Sequence, residues 1–330
     1  MQEINKKGLK LNKKDLPKLF ELLQEFGEVI APVKKKDSFL RTEPVQSLDE
    51  IVFEGVSWFT SKKYTFPEKQ TLFKFKGEKV TKWNENPKKR VLFGLRMCDL
   101  NAFYINDQLF LNQEPKMKFY EKFRENLLLV GLWCDEAQDK YCFCDSMNLT
   151  HRYDLCLFDK GDSYHIKFGS VKGKKIIQRL CLQDDEYWKE LPECEMKLST
   201  TNIKELFNNN DVWQEGTKDC LSCGDCTTLC PTCLCFDIED ETSLDGGCGE
   251  RCAKWDSCMY KDFTLVAGDH HFRGDRNDRF KHRIYHKLQY FKEEFNESMC
   301  TGCGRCIRGC PNKIDWIELI NKQNKNKKKK

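Results

Sequence analysis

The sequence has no apolar run long enough to cross a membrane. Its longest such run, LLLVGLWC at 127–134, is far shorter than the roughly 20 residues that a transmembrane helix needs. The first residues, MQEINKKGLKLNKKDL, also lack the apolar stretch of a secretory signal. We therefore expect a cytoplasmic protein that makes no contact with a membrane.

The sequence also lacks a strong excess of charge of either sign. Its formal net charge is +4, and six lysines fall within KQNKNKKKK at 322–330, so the rest of the chain carries −2. A nearly neutral body does not have the basic character typical of nucleic-acid-binding proteins. We expect no nucleic-acid partner, and we interpret residues 321–330 as a disordered lysine-rich tail.

Patterns typical of catalysis are missing as well. No G-x-G-x-x-G motif follows a predicted strand, so nothing indicates a dinucleotide site on this chain. No plausible nucleophile triad is present either. We therefore predict no catalytic residues.

Cysteine, in contrast, is abundant, with 20 residues in 330. In a long chain without a secretory signal this number indicates metal or redox chemistry rather than disulfides. Two runs, CLSCGDCTTLCP at 220–231 and CTGCGRCIRGCP at 300–311, share the spacing C-x2-C-x2-C-x3-C-P. This is the bacterial ferredoxin pattern for 4Fe–4S clusters, in which the fourth cysteine of each run binds the other cluster.

This crossover predicts the ligands of two 4Fe–4S clusters. One cluster is assigned to Cys220, Cys223, Cys226 and Cys310, and the other to Cys300, Cys303, Cys306 and Cys230. Zinc sites also use C-x2-C pairs, but zinc needs only four ligands and does not account for a third cysteine and x3-C-P in both runs. A sirohaem spacing, formed with Cys248 and Cys252, would take two cysteines from the first run, and the chain is short for that fold.

A third group of cysteines lies in the N-terminal half. The stretches RVLFGLRMC at 90–98 and NLLLVGLWC at 126–134 predict strands that each end in a cysteine, with a helix over 99–110 between them. Such a βαβ unit has parallel strands, and ligands bind beyond their carboxyl ends, where Cys98 and Cys134 would meet. CFC at 142–144 follows in the next loop. The four thiols fit a cluster site, although four buried structural thiols would fit the same pattern.

The remaining patterns predict an α+β protein. Helices are expected at 12–27, 202–213 and 278–295, a strand at 28–32, and hairpins at 71–83 and 153–169. We predict an N-terminal α/β domain with a partly parallel sheet at 1–212. An α-helical ferredoxin domain with two 4Fe–4S clusters is predicted at 213–320.

Several motifs together resemble one protein family over about residues 60–320. They are GLRMCDLNA, CFCDSM, CLSCGDCTTLCPTCLCFD, KWDSC, HHFRGDRNDRFKHRIYHK and CTGCGRCIRGCPNKID. The family is that of the beta subunits of cytoplasmic sulfhydrogenases, which are nickel–iron hydrogenases, together with the homologous iron–sulfur subunit of anaerobic sulfite reductase. The resemblance implies an electron-transfer subunit between a flavoprotein that binds NAD(P) and a catalytic subunit. It also implies a third 4Fe–4S cluster held by Cys98, Cys134, Cys142 and Cys144.

The resemblance leaves some alternatives open. CDLNA and CFCDSM favour the sulfite reductase subunit, whereas CPNKID favours the hydrogenase subunit. A stand-alone redox-sensing module that contains clusters is a further alternative. Cys233, Cys235 and Cys258 belong to the shared motifs without an assigned role, and we interpret Cys156, Cys181 and Cys194 as small core residues.

Overall fold

The structure is a computed structural model that describes residues 6–327 apart from Ser38, Asn84, Glu85, His151 and Asn202. The strands are β1 (Lys7–Asn12), β2 (Glu28–Lys34), β3 (Leu40–Pro44), β4 (Lys69–Lys76), β5 (Lys79–Lys82), β6 (Arg90–Leu95), β7 (Leu127–Leu132), β8 (Leu155–Asp159), β9 (Ser163–Phe168), β10 (Gln183–Glu186), β11 (Phe236–Thr242), β12 (Cys248–Trp255), β13 (Leu265–Val266) and β14 (His270–His271). The helices are α1 (Leu16–Phe26), α2 (Met97–Phe110), α3 (Lys118–Glu125), α4 (Val171–Ile177), α5 (Asn210–Thr217), α6 (Asp225–Thr228), α7 (Arg276–Tyr285), α8 (Phe291–Phe295), α9 (Arg305–Arg308) and α10 (Trp316–Lys327).

An eight-stranded mixed sheet forms the centre of the N-terminal half, in the order β10-β1-β9-β8-β7-β6-β2-β3. Strands β2, β6, β7 and β8 are parallel to one another, and the other pairs are antiparallel. The side chains of β7 are buried throughout, as expected for a parallel strand covered on both faces. The predicted βαβ unit, with α2 between β6 and β7, is confirmed.

Helices cover both faces of this sheet. On one face, Leu19 and Leu23 of α1 pack with Ile176 of α4 against the strands. On the other face, Leu100 and Phe103 of α2 contact apolar side chains of the same strands. The predicted helix at 12–27, the strand at 28–32 and both hairpins are also confirmed.

A second sheet, β11-β12-β4-β5, combines strands from both sides of the predicted boundary at 212. The prediction of an α-helical C-terminal domain therefore missed β11 and β12 of this sheet, and also the short separate pair β13–β14. Strand β11 has the sequence FDIEDET, in which acidic residues take most positions, and the strand is mostly exposed. It therefore does not show the sustained alternation of apolar and polar residues that predicts a strand. Its acidic side chains pair with basic residues of neighbouring strands, as Asp240 does with Arg251.

The C-terminal half has its own helical core around Trp213, Phe280 and Ile284. The predicted helix at 278–295 is confirmed as α7, a π-helical turn at His286–Tyr290, and α8. The prediction at 202–213 is only partly right. Residues Lys204–Leu206 form a 3-10 turn and α5 begins at Asn210, in keeping with the low helix propensity of the asparagines between them.

Helix α10 continues to Lys327 and thus includes most of the range interpreted as a tail, while 328–330 lie outside the described residues. The domain ranges stay predictions. No helix within the described part of the chain is long and apolar enough to span a bilayer.

Candidate metal centre

The first ferredoxin run folds around a pocket with the last cysteine of the second run. Cys220, Cys223, Cys226 and Cys310 all line this pocket. Helix α6 begins inside the run, so Cys226 lies on its first turn. We call these four cysteines site 1. The structure thus brings together the four cysteines that the crossover assigned to one cluster.

The second run forms a matching group, which we call site 2 and which consists of Cys300, Cys303, Cys306 and Cys230. The thiols of Cys300 and Cys303 each lie within electrostatic range of both Cys306 and Cys230. Trp316 donates a hydrogen bond from Nε1 to Sγ of Cys306 at 3.3 Å. The two sites are neighbours, because Cys306 also lines the pocket of site 1.

Burial keeps two of these thiols, those of Cys226 and Cys300, protonated while no metal is bound. It raises the pKa of Cys226 and of Cys300 to about 12 in each case. Thiolate is the form that binds metal, so the assembly of a cluster must release protons from these groups.

The N-terminal cysteines converge as well. Cys98 lies in the first turn of α2 directly after β6, and Cys134 lies two residues beyond the end of β7. Cys144 interacts electrostatically with Cys134, Cys142 and Cys98. We call Cys98, Cys134, Cys142 and Cys144 site 3. The parallel strands place Cys98 and Cys134 at the same edge of the sheet, which is the arrangement that the sequence pattern indicates.

Site 3 includes a neighbour that the sequence analysis missed. Sγ of Cys194 lies 3.8 Å from Sγ of Cys144, and both thiols are buried with Cys142. The backbone N–H of Cys194 donates to Oδ2 of Asp145 at 3.0 Å, which fixes this segment beside site 3. Cys194 is a lone cysteine in PEC at 192–194, and no other cysteine stands near it at the spacing of a metal-binding motif. The sequence therefore gave no indication that this residue lies beside site 3. A fifth thiol thus lies beside the four of site 3.

A buried ion pair joins sites 2 and 3. Arg305, which lies between two cysteines of site 2, donates two hydrogen bonds of 2.8 Å to the carboxylate of Asp99, the residue after Cys98. The side chains are only 1% and 6% exposed. Two parallel charge-assisted bonds of this kind fix both distance and orientation.

The backbones of the two sites also pack directly against each other. Gly302 and Gly304 both have φ of +69°, which favours glycine. A Cβ on Gly302 would lie 2.5 Å from Cα of Cys144, and one on Gly304 would collide with the carbonyl oxygen of Tyr141. Glycine is thus required twice where the loop of site 2 meets the loop of site 3.

Buried positive charges surround the thiols. Lys287 and Arg283 are each only 3% exposed, and no carboxylate pairs with either of them in the described part of the chain. Nε of Arg283 is buried without a hydrogen-bond partner, and its guanidinium lies within electrostatic range of Cys226, Cys306 and Cys230. Clusters with four thiolate ligands carry negative charge, so they would balance these cations. The donor set and its surroundings therefore fit 4Fe–4S clusters.

The spacing of the thiols fits zinc less well. With Zn–S bonds of about 2.3 Å, tetrahedral zinc brings its sulfurs to roughly 4 Å from one another. Among the described residues, no three cysteine sulfurs lie within 4.8 Å of one another, and the group found at that limit is Glu241, Glu250 and Cys252. The wider separation of the cysteines is in keeping with a site for several metal atoms.

Comparisons with known proteins agree with this geometry. Residues 219–314 match the family described as 4Fe-4S dicluster domain. The chain is 33% identical over 333 aligned residues to sulfhydrogenase 2 subunit beta of Pyrococcus furiosus, and the alignment covers 94% of this chain and 97% of the relative. No solved structure matches the chain. On this identity and coverage, the chain belongs to the family of sulfhydrogenase beta subunits, which are iron–sulfur subunits for electron transfer.

Proposed function

We propose that the chain relays electrons between a flavoprotein subunit that binds NAD(P) and the catalytic subunit of a cytoplasmic nickel–iron hydrogenase. Sites 1, 2 and 3 would each hold a 4Fe–4S cluster, with the ligands assigned above. The observation that carries this proposal is the continuity of the three sites. Cys306 of site 2 lines the pocket of site 1 together with Cys226. Arg305, the neighbour of Cys306, forms a buried ion pair with Asp99, the residue after Cys98 of site 3.

Clusters bound at these sites would supply one-electron transfer. The chain itself supplies the thiolates, a water-poor surrounding and fixed positive charge, which together set reduction potentials. Arg305 and Asp99 hold sites 2 and 3 in a fixed relation, and Arg283 provides a charge shared between sites 1 and 2. None of these roles requires a substrate pocket, in agreement with the absence of catalytic patterns from the sequence.

The experiment is an analysis of the full chain purified without oxygen. We expect at least about twelve iron and twelve sulfide per chain, since each of three sites would take four of each. The chain should accept electrons from dithionite. It should not oxidise NADH or NADPH with a dye as acceptor, because it lacks a dinucleotide motif. Stoichiometric zinc without sulfide, or rapid dye reduction by NAD(P)H, would contradict the proposal.

The identity of the catalytic partner needs a separate experiment. The 33% identity to a sulfhydrogenase subunit favours a hydrogenase over an anaerobic sulfite reductase. Purification of the native complex through a tag on this chain should recover a flavoprotein and a nickel-containing subunit. Recovery of a sirohaem protein would assign the chain to sulfite reduction instead, and recovery of the chain alone would favour the redox-sensing alternative.

A further inference from the structure

Three cysteines outside sites 1 to 3 also meet in space. Strands β11 and β12 pair with Phe236 opposite Trp255, and beyond this pair the N–H of Asp256 donates to the carbonyl of Cys235 at 3.0 Å. This contact brings Cys258, two residues further along, beside Cys235. The thiol of Cys258 lies within electrostatic range of both Cys235 and Cys233. Two distant segments thus supply three neighbouring thiols.

These thiols line a cavity. Cys233, Cys235 and Cys258 contribute to the wall of a space of about 380 Å³. Small core cysteines would be packed against neighbouring side chains, whereas these three border a space large enough for a bound group. Cys233 and Cys258 are buried and Cys235 is half-buried, so the thiols themselves are largely shielded from water.

Two histidine side chains line the same cavity as the three cysteines. His282 of α7 and His286 in the following π-helical turn both line the cavity, with ring centroids 5.7 Å apart. In the described part of the chain, neither ring makes a side-chain hydrogen bond or an ion pair. Both histidines are half-buried, and their rings line the same cavity as the three thiols, so nitrogen and sulfur donors are available together to one ligand.

The surroundings of the cavity carry positive charge. Lys287 and Arg283 line it, and the buried ammonium of Lys62 donates to the carbonyl of Cys233 at 2.7 Å. Lys62 also lies over the ring of Trp255, 4.3 Å from its centroid. Among the described residues, no carboxylate pairs with Lys62, Lys287 or Arg283. A bound group of negative charge would balance them, as at sites 1 and 2.

We propose that Cys233, Cys235 and Cys258 bind a fourth iron–sulfur cluster, with an imidazole of the His282–His286 pair as the fourth ligand. We call these residues site 4. The sulfurs are not gathered within the 4.8 Å that a single tetrahedral ion would require, and the cavity has room for a larger group. The inference rests on the proposed function in one respect, namely that the chain assembles clusters.

Site 4 adjoins site 2. The thiol of Cys233 interacts with that of Cys230, and the hydroxyl of Thr232 between them accepts a hydrogen bond from Lys287 at 2.9 Å. The fourth cluster would therefore add a branch to the relay, starting from site 2. Cys235 is half-buried, so this branch would have an approach from the surface.

The test is the iron and acid-labile sulfide content of the full chain after anaerobic reconstitution with ferrous iron and sulfide. With four sites we expect about sixteen of each in the natural chain, and about twelve in Cys235→Ser and in Cys258→Ser. The spectra of the clusters at sites 1 to 3 should persist in both variants. The control is Cys252→Ser, which alters a fully buried cysteine of β12 outside the four sites and should keep the full content.

Pulsed electron paramagnetic resonance tests the imidazole ligand. The reduced natural chain should show a strongly coupled nitrogen that disappears in the double variant His282→Ala/His286→Ala. Full iron without such a nitrogen would overturn the histidine ligand.

The proposal of a cluster at site 4 is overturned if the natural chain and both cysteine variants hold the same amounts of iron and sulfide. It is also overturned if the variants lose one zinc ion per chain and no iron or sulfide. That result would leave the proposed function intact. Loss of the proposed function would appear differently, as a natural chain with no cluster iron at all.

Discussion

Removal of one partner of the buried Asp99–Arg305 pair should destabilise the protein strongly. In Asp99→Asn the fold is kept but the guanidinium of Arg305, 1% exposed, loses its counter-charge. Breaking a buried pair in this way costs about 3–5 kcal/mol, since the remaining charge stays desolvated. For a chain of this size, that corresponds to a fall of roughly 4–7 °C in the melting temperature.

The chain offers a matched control. Asp240 and Arg251 also form a two-bonded pair, but their side chains are 41% and 43% exposed. Exposed pairs contribute about 0–1 kcal/mol, so Asp240→Asn should leave the melting temperature almost unchanged. Melting is followed by tryptophan fluorescence under argon. Iron per chain is measured on the same samples, because a lower melting temperature with full iron would indicate loss of the contact between sites 2 and 3 rather than loss of clusters.

A double variant completes the cycle. Asp99→Leu/Arg305→Met removes both charges and should cost less than the sum of the single changes, because no buried charge is left unpaired. If Asp99→Asn melts at the same temperature as Asp240→Asn, the pair is not desolvated and the rigid contact between sites 2 and 3 is refuted.

Four further predictions address the sites and the fold. Cys134→Ser should lose about four iron and four sulfide, because a cluster at site 3 would lose a ligand. Unchanged iron would contradict a cluster that uses Cys134 as a ligand. Cys310→Ser should perturb the spectrum of site 1 more than that of site 2, and the reverse would refute the crossover of ligands. Lys287→Met should make the reduction potential of site 2 more negative, because a buried positive charge favours the reduced form. The control Lys292→Met, which alters an exposed lysine, should leave this potential unchanged. Equal potentials of site 2 in the two variants would contradict this. Burial lowers the pKa of His165 below its usual 6.5, so the unfolded chain takes up this proton at a higher pH than the folded chain. The free energy of unfolding is therefore fully present above about pH 6.5 and falls as the pH drops, by at most about 1.4 kcal/mol per pH unit. His165→Asn should show a flatter dependence of melting temperature on pH, and an equally steep one would refute the role of this ring.

Short-range patterns predicted much of the structure. The unit of β6, α2 and β7 follows from two apolar runs and the helix between them, and it brings Cys98 to Cys134. The ferredoxin runs were recognisable because their spacing is itself the geometry of the ligand loops.

Features that depend on pairing between distant segments were not predictable in this way. Strand β12 pairs with β4 although they lie far apart in the sequence, and neither β11 nor β12 has a simple apolar alternation. The meeting of Cys235 with Cys258 depends on the end of the β11–β12 pair. Cys194 reaches Cys144 through an extended segment without a repeating pattern, so no local signal marks it.

The arrangement of the four sites gives site 2 a central position. Cys306 is close to Cys226 of site 1, Cys303 is close to Cys98 of site 3, and Cys230 is close to Cys233 of site 4. In the proposed relay, site 2 therefore adjoins each of the other three sites. Cys223 of site 1 is exposed and Cys235 of site 4 is half-buried, whereas all four cysteines of site 3 are buried. Partners would then exchange electrons most readily at sites 1 and 4, and the buried charges of Arg305 and Lys287 would set the potential of site 2, which adjoins the other three.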